Sequence, residues 1–227
     1  MTTTASICGE PLQGLMHICA FVDSREQQYE ILLPFLRQGL ECDDCLLTVV
    51  SPENHADHVV RLHAAGIDTG ALAPAGQLML HTFEDTYLKD GFFSADRMLG
   101  LLEGALAGAR SAGFRALRGF GEMDWALCGL PGTEELVEYE ARINYIVPKF
   151  NDPLVCVYDV NKFSGRVITD ILSTHPKVIM GGKIYENPYY MHPDVFLKHL
   201  ATRKQVHAHA NFTLSHDYIA TYRPSLN

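Results

Sequence analysis

The chain has 227 residues, 47% of them hydrophobic and 20% charged, a balance that can fill a core and excludes wholesale disorder. Its 27 acidic and 18 basic residues give a formal net charge of −9 at pH 7, which disfavours direct nucleic-acid binding, because phosphate affinity depends on clustered Lys and Arg. We see no membrane-span-length apolar run and no signal peptide, and the six cysteines are too few for a disulfide scaffold. We therefore expect a cytoplasmic protein with reduced thiols and no membrane partner.

Short apolar runs alternate with helical stretches along the whole chain. In chain order we predict a strand at 14–22, a helix at 25–40, a strand at 45–50, a helix at 51–65, a strand at 78–81, a helix at 94–112, a strand at 115–120, a helix at 132–147, a strand at 154–158, a helix at 164–173, a strand at 178–180 and a helix at 193–200. Apolar strands that are each followed by a helix predict an α/β fold of three layers, with helices on both faces of a mostly parallel sheet.

We assign residues 14–200 to one α/β domain and expect flexible termini at 1–13 and 201–227. In open parallel sheets the ligand binds beyond the carboxyl ends of the strands. The sequence therefore predicts a binding pocket at those ends, formed by the residues that follow each strand.

The first strand-to-helix turn lacks the features of a phosphate loop. A nucleotide-binding loop needs glycines that free the backbone to wrap phosphate, followed by Lys and Ser or Thr. This turn has the sequence DSREQQ at 23–28, without glycine and with Asp23 and Glu26 where phosphate would lie. No nucleophile elbow of the GxSxG type occurs either. We therefore expect neither ATP hydrolysis nor another enzymatic activity.

A series of short motifs, in a fixed order, resembles the MEDS domain, a sensory domain of prokaryotic regulators. The motifs are His17, PFLRQGL at 34–40, GQL at 76–78, YLKDGFF at 87–93, LR at 117–118, GEMDW at 121–125, YEARIN at 139–144, CVYD at 156–159, HP at 175–176 and NPYY at 187–190. The resemblance implies a RecA/KaiC-like fold without working ATPase loops, and sensing of simple hydrocarbon derivatives. The resemblance also implies that such proteins often carry a DNA-binding or kinase output domain. Only about 30 residues follow the similar stretch, so we expect output through a separate regulatory protein or a homo-oligomer.

One histidine and one cysteine of the first strand, and one helical carboxylate, are candidate site residues. His17 and Cys19 share one side of a strand, where they could form a pocket floor or bind metal; a core histidine bonded to a carbonyl is the alternative. Glu140 falls on the apolar face of its helix, where a carboxylate needs a partner. Arg118, itself a candidate ligand contact, is a plausible partner, which leaves Glu140 a ligand contact, a general base or half of a structural salt bridge.

The remaining candidates lie where strands or turns end. Glu122, Trp125 and Asp159 follow strands, and the lone Trp125 could either wall a pocket or anchor its loop. For His175, Asn187 and Tyr189 a ligand role rests on the resemblance alone, with 185–190 as a lid.

Other cysteines and histidines receive a structural interpretation. Cys42 and Cys45 form a CxxC pair without a second pair nearby, which favours a simple turn. His55, His58 and His63 are expected on a solvated helix face. The tail histidines, His207, His209 and His216, are given no functional weight.

We conclude from the sequence that the chain binds a small organic ligand (an alcohol, ketone, aldehyde or halide) and acts in signal transduction or transcription regulation. We assign no cofactor. One alternative is a metal- or cofactor-binding protein that uses His17, Cys19 and His175. A second alternative is a non-catalytic RecA-like assembly or scaffold protein.

Overall fold

The computed structural model describes residues 4–205. Its strands within that range are β1 (Ser6–Ile7), β2 (Glu10–Pro11), β3 (His17–Val22), β4 (Cys45–Val50), β5 (Leu78–Thr82), β6 (Leu117–Glu122), β7 (Leu154–Asp159), β8 (Lys177–Met180) and β9 (Lys183–Glu186). Its helices are α1 (Arg25–Glu41), α2 (His55–Ala64), α3 (Thr69–Leu72), α4 (Ala95–Ser111), α5 (Leu136–Ile143), α6 (Val147–Phe150), α7 (Gly165–Thr174) and α8, which is described over 193–205. None of these described helices is long and apolar enough to cross a bilayer.

Seven strands form one sheet in the order β5-β4-β6-β7-β3-β8-β9. All neighbouring pairs are parallel except β8 and β9, which form an antiparallel hairpin at one edge. The predicted α/β fold with a mostly parallel sheet and helices is therefore confirmed.

Each face of the sheet packs against its own apolar cluster. On one face Ile18, Ala20 and Leu46 join α1 residues such as Leu32 and Phe35. On the other face a second cluster contains strand residues together with side chains of α4, α5 and α7. Three helices have a serine N-cap. Ser24, Ser94 and Ser164 each accept a hydrogen bond from a backbone N–H of the first turn.

Two hairpins were not predicted. The segment expected to be a flexible N-terminus contains β1 and β2, and its Ile7 and Leu12 are buried. Strands of two residues carry no readable periodicity. Strand β9 includes the first two residues of the proposed lid at 185–190, where pairing with β8 holds Tyr185 in the sheet. Helix α8 continues to residue 205, and the tail from 206 with its histidines lies outside the described residues.

Arg118 does not pair with Glu140, and that prediction is wrong. Arg118 lies on the α1 face of β6, where its Nε donates to Asp44 at 2.7 Å. Its Nη1 donates to the Phe35 carbonyl and to the Gln38 side chain, both at 2.9 Å. Both members of the Arg118–Asp44 pair are fully buried. The pair is therefore part of the core and not of a ligand site.

His58 is fully buried, which contradicts the solvated helix face predicted for it. Its Nδ1 lies 2.9 Å from the Tyr29 hydroxyl and its Nε2 lies 3.0 Å from Thr48 Oγ1. Burial, then the charges of His55 and Arg25, lower the pKa of His58 to about 4, against the opposing charge of Asp57.

This burial makes stability depend on pH. The unfolded chain takes up a proton at His58 near pH 6.5, whereas the folded chain does so only near pH 4. The free energy of unfolding is therefore unaffected by protonation of His58 above pH 6.5, and it decreases as the pH falls from 6.5 to 4. We expect a loss of up to about 3 kcal/mol across this pH range. Urea unfolding at several pH values gives the free energy of unfolding as a function of pH. This free energy should change less with pH in His58→Asn than in the wild type, whereas the exposed His63→Asn should show the wild-type dependence. The same pH dependence in His58→Asn and the wild type would contradict the assignment.

Candidate functional site

A cluster of four buried polar side chains lies between the sheet and helices α5 and α7. It consists of His17, Glu140, Cys156 and His175. One nitrogen, oxygen or sulfur atom of each lies within 4.8 Å of the corresponding atom of all the others. Four such groups rarely share a dry interior, because burying polar or charged groups costs free energy unless they are paired.

Separate elements bring these side chains together. His17 is the first residue of β3, and Cys156 is the third of β7. The register places Cys19 opposite Cys156, so His17 and Cys156 project from the same face. Glu140 projects from α5 onto this face. His175 caps the end of α7, two residues before the start of β8, and its ring centroid is 4.0 Å from that of His17.

Asn144 fixes which nitrogen of His17 carries the proton. The Asn144 side-chain nitrogen donates to three backbone carbonyls, those of Glu140, Ala141 and Thr174. Its oxygen therefore faces His17 Nδ1, at 3.3 Å, and Nδ1 must be the donor. The other nitrogen, Nε2, is left 3.1 Å from Glu140 Oε2 and 3.6 Å from Cys156 Sγ.

His175 has the same arrangement. Its Nδ1 lies 2.9 Å from the Ile171 carbonyl, which can only accept, so Nδ1 carries the proton. Its Nε2 lies 3.3 Å from Glu140 Oε2 but has no hydrogen-bond partner. Asn187 holds this turn in place by donating to the His175 carbonyl at 2.7 Å. Both rings thus direct Nε2 at one carboxylate oxygen.

The charge states within the cluster follow from its burial. Burial, and then the neighbouring His175, lower the pKa of His17 to about 4. Burial raises the pKa of Glu140, but the hydrogen bonds and positive charges of His17 and His175 in their protonated forms outweigh it and hold that pKa below its ordinary value. The other oxygen of Glu140 accepts a hydrogen bond of 2.6 Å from the Tyr158 hydroxyl. Burial, followed by the charge of Glu140, raises the pKa of the Cys156 thiol.

An apolar cavity of about 240 Å³ adjoins the cluster. It lies between the sheet and helices α4 and α5, and Cys156 belongs both to its wall and to the cluster. Leu102 and Ala105 of α4 form part of the opposite wall, and Tyr87 and Tyr139 contribute aromatic walls. The cavity lies under one face of the sheet and extends to the carboxyl end of β5, where Asp85, Thr86 and Tyr87 of the following loop belong to its lining.

Several predicted site residues lie outside the cluster. Cys19 Sγ contacts the Lys177 carbonyl at 3.7 Å and is not among the clustered groups. Glu122 lies at the carboxyl end of β6 on the opposite face, where it accepts hydrogen bonds from Gln28 and from the Ser51 backbone at 2.7 and 2.8 Å. Asp159 accepts from the backbone and side chain of Asn161 in the loop after β7, and also lies near Lys162.

Trp125 and Tyr189 do not contact the cluster. Trp125 is fully buried and stacks on Phe93 and on Tyr87, with ring centroids 4.1 and 4.9 Å apart. Trp125 is not part of the cavity lining, but its neighbour Tyr87 is. Tyr189 is 69% exposed.

Cys156, Tyr158 and Asn144 occur in the motifs of the resemblance but were not predicted as site residues. Cys156 and Tyr158 alternate along the apolar β7, so they share a side with each other, but only the register with β3 places them beside His17. Asn144 follows Glu140 by one helical turn, which was a usable signal for a common face.

With this fold and site described, comparison with known proteins defines the class. Residues 16–176 match the family model described as "MEDS: MEthanogen/methylotroph, DcmR Sensory domain". This match spans well over half of the chain, and the protein belongs to the MEDS family of sensory domains. A sensing role in regulation follows from that membership.

A curated relative is the Transcriptional repressor DcmR of Methylorubrum extorquens (strain DSM 6343 / CIP 106787 / DM4). The two sequences are 30% identical over 162 residues, which is 70% of this chain and 57% of that repressor. The chain thus matches little more than half of the relative's length.

Proposed function

We propose that this chain senses a small, weakly polar organic molecule, such as an alcohol, ketone, aldehyde or halide, that binds in the cavity beneath α4. The observation that carries the proposal is the cavity itself, whose walls are mainly aliphatic and aromatic, with a few polar groups such as His81 and Thr86. Membership of a sensory-domain family supports the same role.

The size of the cavity favours a ligand of few atoms. Pockets for drug-sized molecules usually measure about 300–1,000 Å³. The cavity in this chain, at about 240 Å³, is smaller. An apolar cavity of roughly 150 Å³ in another protein stays dry and accepts benzene, so a cavity of this kind suits a compact, largely apolar guest.

The output of the proposed sensor is a shift between two states of the domain, passed to a partner protein or a second copy of the chain, without ATP hydrolysis. A ligand shifts such an equilibrium only by its difference in affinity for the two states. The turn between β3 and α1 supports the absence of ATPase chemistry, because Ser24 caps α1 and Asp23 lies beside it as a negative charge.

A thermal-shift panel tests the ligand class. At a ligand concentration of about 100 times Kd, binding stabilises the folded state by about 2.7 kcal/mol. For a chain of this size we expect a rise in Tm of about 5–10 °C. The panel should contain C1–C3 alcohols, ketones, aldehydes and halides at millimolar concentration.

Two variants of helix α4 separate cavity binding from surface effects. Ala105→Phe places a ring in the cavity and should abolish the ligand-dependent rise in Tm. Ala107→Phe changes an exposed position of the same helix and should retain it. A rise that survives Ala105→Phe would exclude the cavity as the site. No rise across the panel, together with a stable oligomer in light scattering, would favour a scaffold protein instead.

A further inference from the structure

We propose that His17, Glu140, Cys156 and His175 bind one divalent transition-metal ion of the zinc type, through His17 Nε2, His175 Nε2, Glu140 Oε2 and Cys156 Sγ. The proposal is independent of the cavity ligand. It rests on the positions of the lone pairs, the spacing of the four atoms and the balance of charge.

The lone pairs converge on one point. In both histidines Nδ1 donates to a fixed oxygen, Asn144 Oδ1 or the Ile171 carbonyl, so the free lone pair is on Nε2. Without a cation both lone pairs face the Glu140 carboxylate, and His175 Nε2 has no hydrogen-bond partner although the side chain is fully buried. Metal-bound histidines almost always donate their second ring N–H to such an outer group.

The spacing suits a tetrahedral site. Metal–ligand distances of about 2.0–2.3 Å in zinc sites correspond to ligand–ligand distances of roughly 3.3–3.8 Å. Glu140 Oε2 lies 3.1 Å from His17 Nε2 and 3.3 Å from His175 Nε2, and Cys156 Sγ lies 3.6 Å from His17 Nε2. Small side-chain movements would therefore complete the coordination.

The charges balance once the metal binds. Glu140 and Cys156, after release of the thiol proton to solvent, supply two negative charges, and the two neutral imidazoles supply none. A divalent ion makes the buried site neutral, which removes the cost of an uncompensated charge in the interior. The mixed nitrogen, sulfur and oxygen donors favour zinc over calcium or magnesium, which prefer oxygen alone.

The outer contacts complete the arrangement that metal sites require. Tyr158 donates to the remaining oxygen of Glu140 at 2.6 Å and so orients the carboxylate. Asn187 fixes the backbone of His175. Cys19, which the sequence offered as a ligand, instead contacts the Lys177 carbonyl and supplies a matched control for Cys156.

Cobalt substitution of the tag-free full chain tests the proposal. The chain is stripped with a chelator and titrated with Co²⁺ alone. We expect saturation at one ion per chain, the visible bands of tetrahedral Co²⁺ and a near-ultraviolet thiolate-to-cobalt band, all removed by an equivalent of Zn²⁺. Cys156→Ala should lose the thiolate band, whereas Cys19→Ala should keep it. Asn144→Ala should bind about 10–100-fold more weakly.

Two further measurements keep the test decisive. If Cys156→Ala fails to fold by circular dichroism, the wild type must still show a higher Tm with Zn²⁺ than after chelation. A variant with His207, His209 and His216 all changed to Ala should retain the spectrum. The proposal is overturned if the wild type binds no Co²⁺ after gel filtration, if the thiolate band survives Cys156→Ala, or if the spectrum depends on the tail histidines. None of these outcomes depends on whether an organic ligand binds the cavity.

Discussion

Replacing Asp44 by alanine should lower the free energy of unfolding by about 3–5 kcal/mol, because the change leaves the guanidinium of Arg118 buried without its counter-charge. Asp44 Oδ2 accepts from Arg118 Nε at 2.7 Å, and both side chains are fully buried. Arg118 packs so closely against α1 that a Cβ added at Gly39 would lie 2.8 Å from Arg118 Cδ. The guanidinium therefore cannot move to solvent on that side. Urea unfolding followed by circular dichroism measures the loss.

A surface pair provides the control for this prediction. Lys149 and Glu103 lie 2.7 Å apart, but both side chains are about half exposed, so Glu103→Ala should cost less than about 1 kcal/mol. The double variant Asp44→Ala, Arg118→Met removes the stranded charge and should be more stable than Asp44→Ala alone. If the double variant is less stable than Asp44→Ala, the unpaired charge of Arg118 is not the cause of the destabilisation.

Replacing Trp125 by alanine should cost about 3–5 kcal/mol of stability, the range found when large aromatic side chains are removed from a core. Trp125 is fully buried and lies between the rings of Phe93 and Tyr87. Because it is the only tryptophan of the chain, its variants must be followed by circular dichroism and not by tryptophan fluorescence.

Leu127 offers a matched control for Trp125. It belongs to the same short 3₁₀ segment, Asp124–Leu127, but is 48% exposed. Leu127→Ala should change stability by no more than about 0.5 kcal/mol, as surface substitutions usually do. A similar loss for both variants would mean that the segment, and not the stacked indole, carries the stability.

Local sequence patterns predicted the elements that depend on local signals. The bounds of β4 were predicted correctly as Cys45–Val50, because a continuous apolar run is bounded by polar residues. The helix predicted at 94–112 is observed as α4, with Ser94 as its cap. The apolar spacing of α5 placed Glu140 on the sheet-facing side, where it lies. Each of these features depends on a few neighbouring residues.

Features that depend on strand order could not be read from the chain. Arg118 finds Asp44 only because β6 lies beside β4, and Cys156 reaches His17 only because β7 lies beside β3. The residues around each strand do not indicate which strand will be its neighbour in the sheet. The buried His58 likewise forms its hydrogen bonds with Tyr29 of α1 and Thr48 of β4, and these contacts depend on how the elements pack. His17, Glu140 and His175 were predicted as site residues, but Cys156 and the contacts among the four side chains were not.

The position of Cys156 in both the cavity wall and the polar cluster has a thermodynamic consequence. If an ion held by the thiolate changes the affinity of the cavity for an organic guest by some factor, the guest must change the affinity for the ion by the same factor. The reciprocity allows each affinity to be measured through the other. A colourless guest could then be detected by the displacement of a cobalt titration curve.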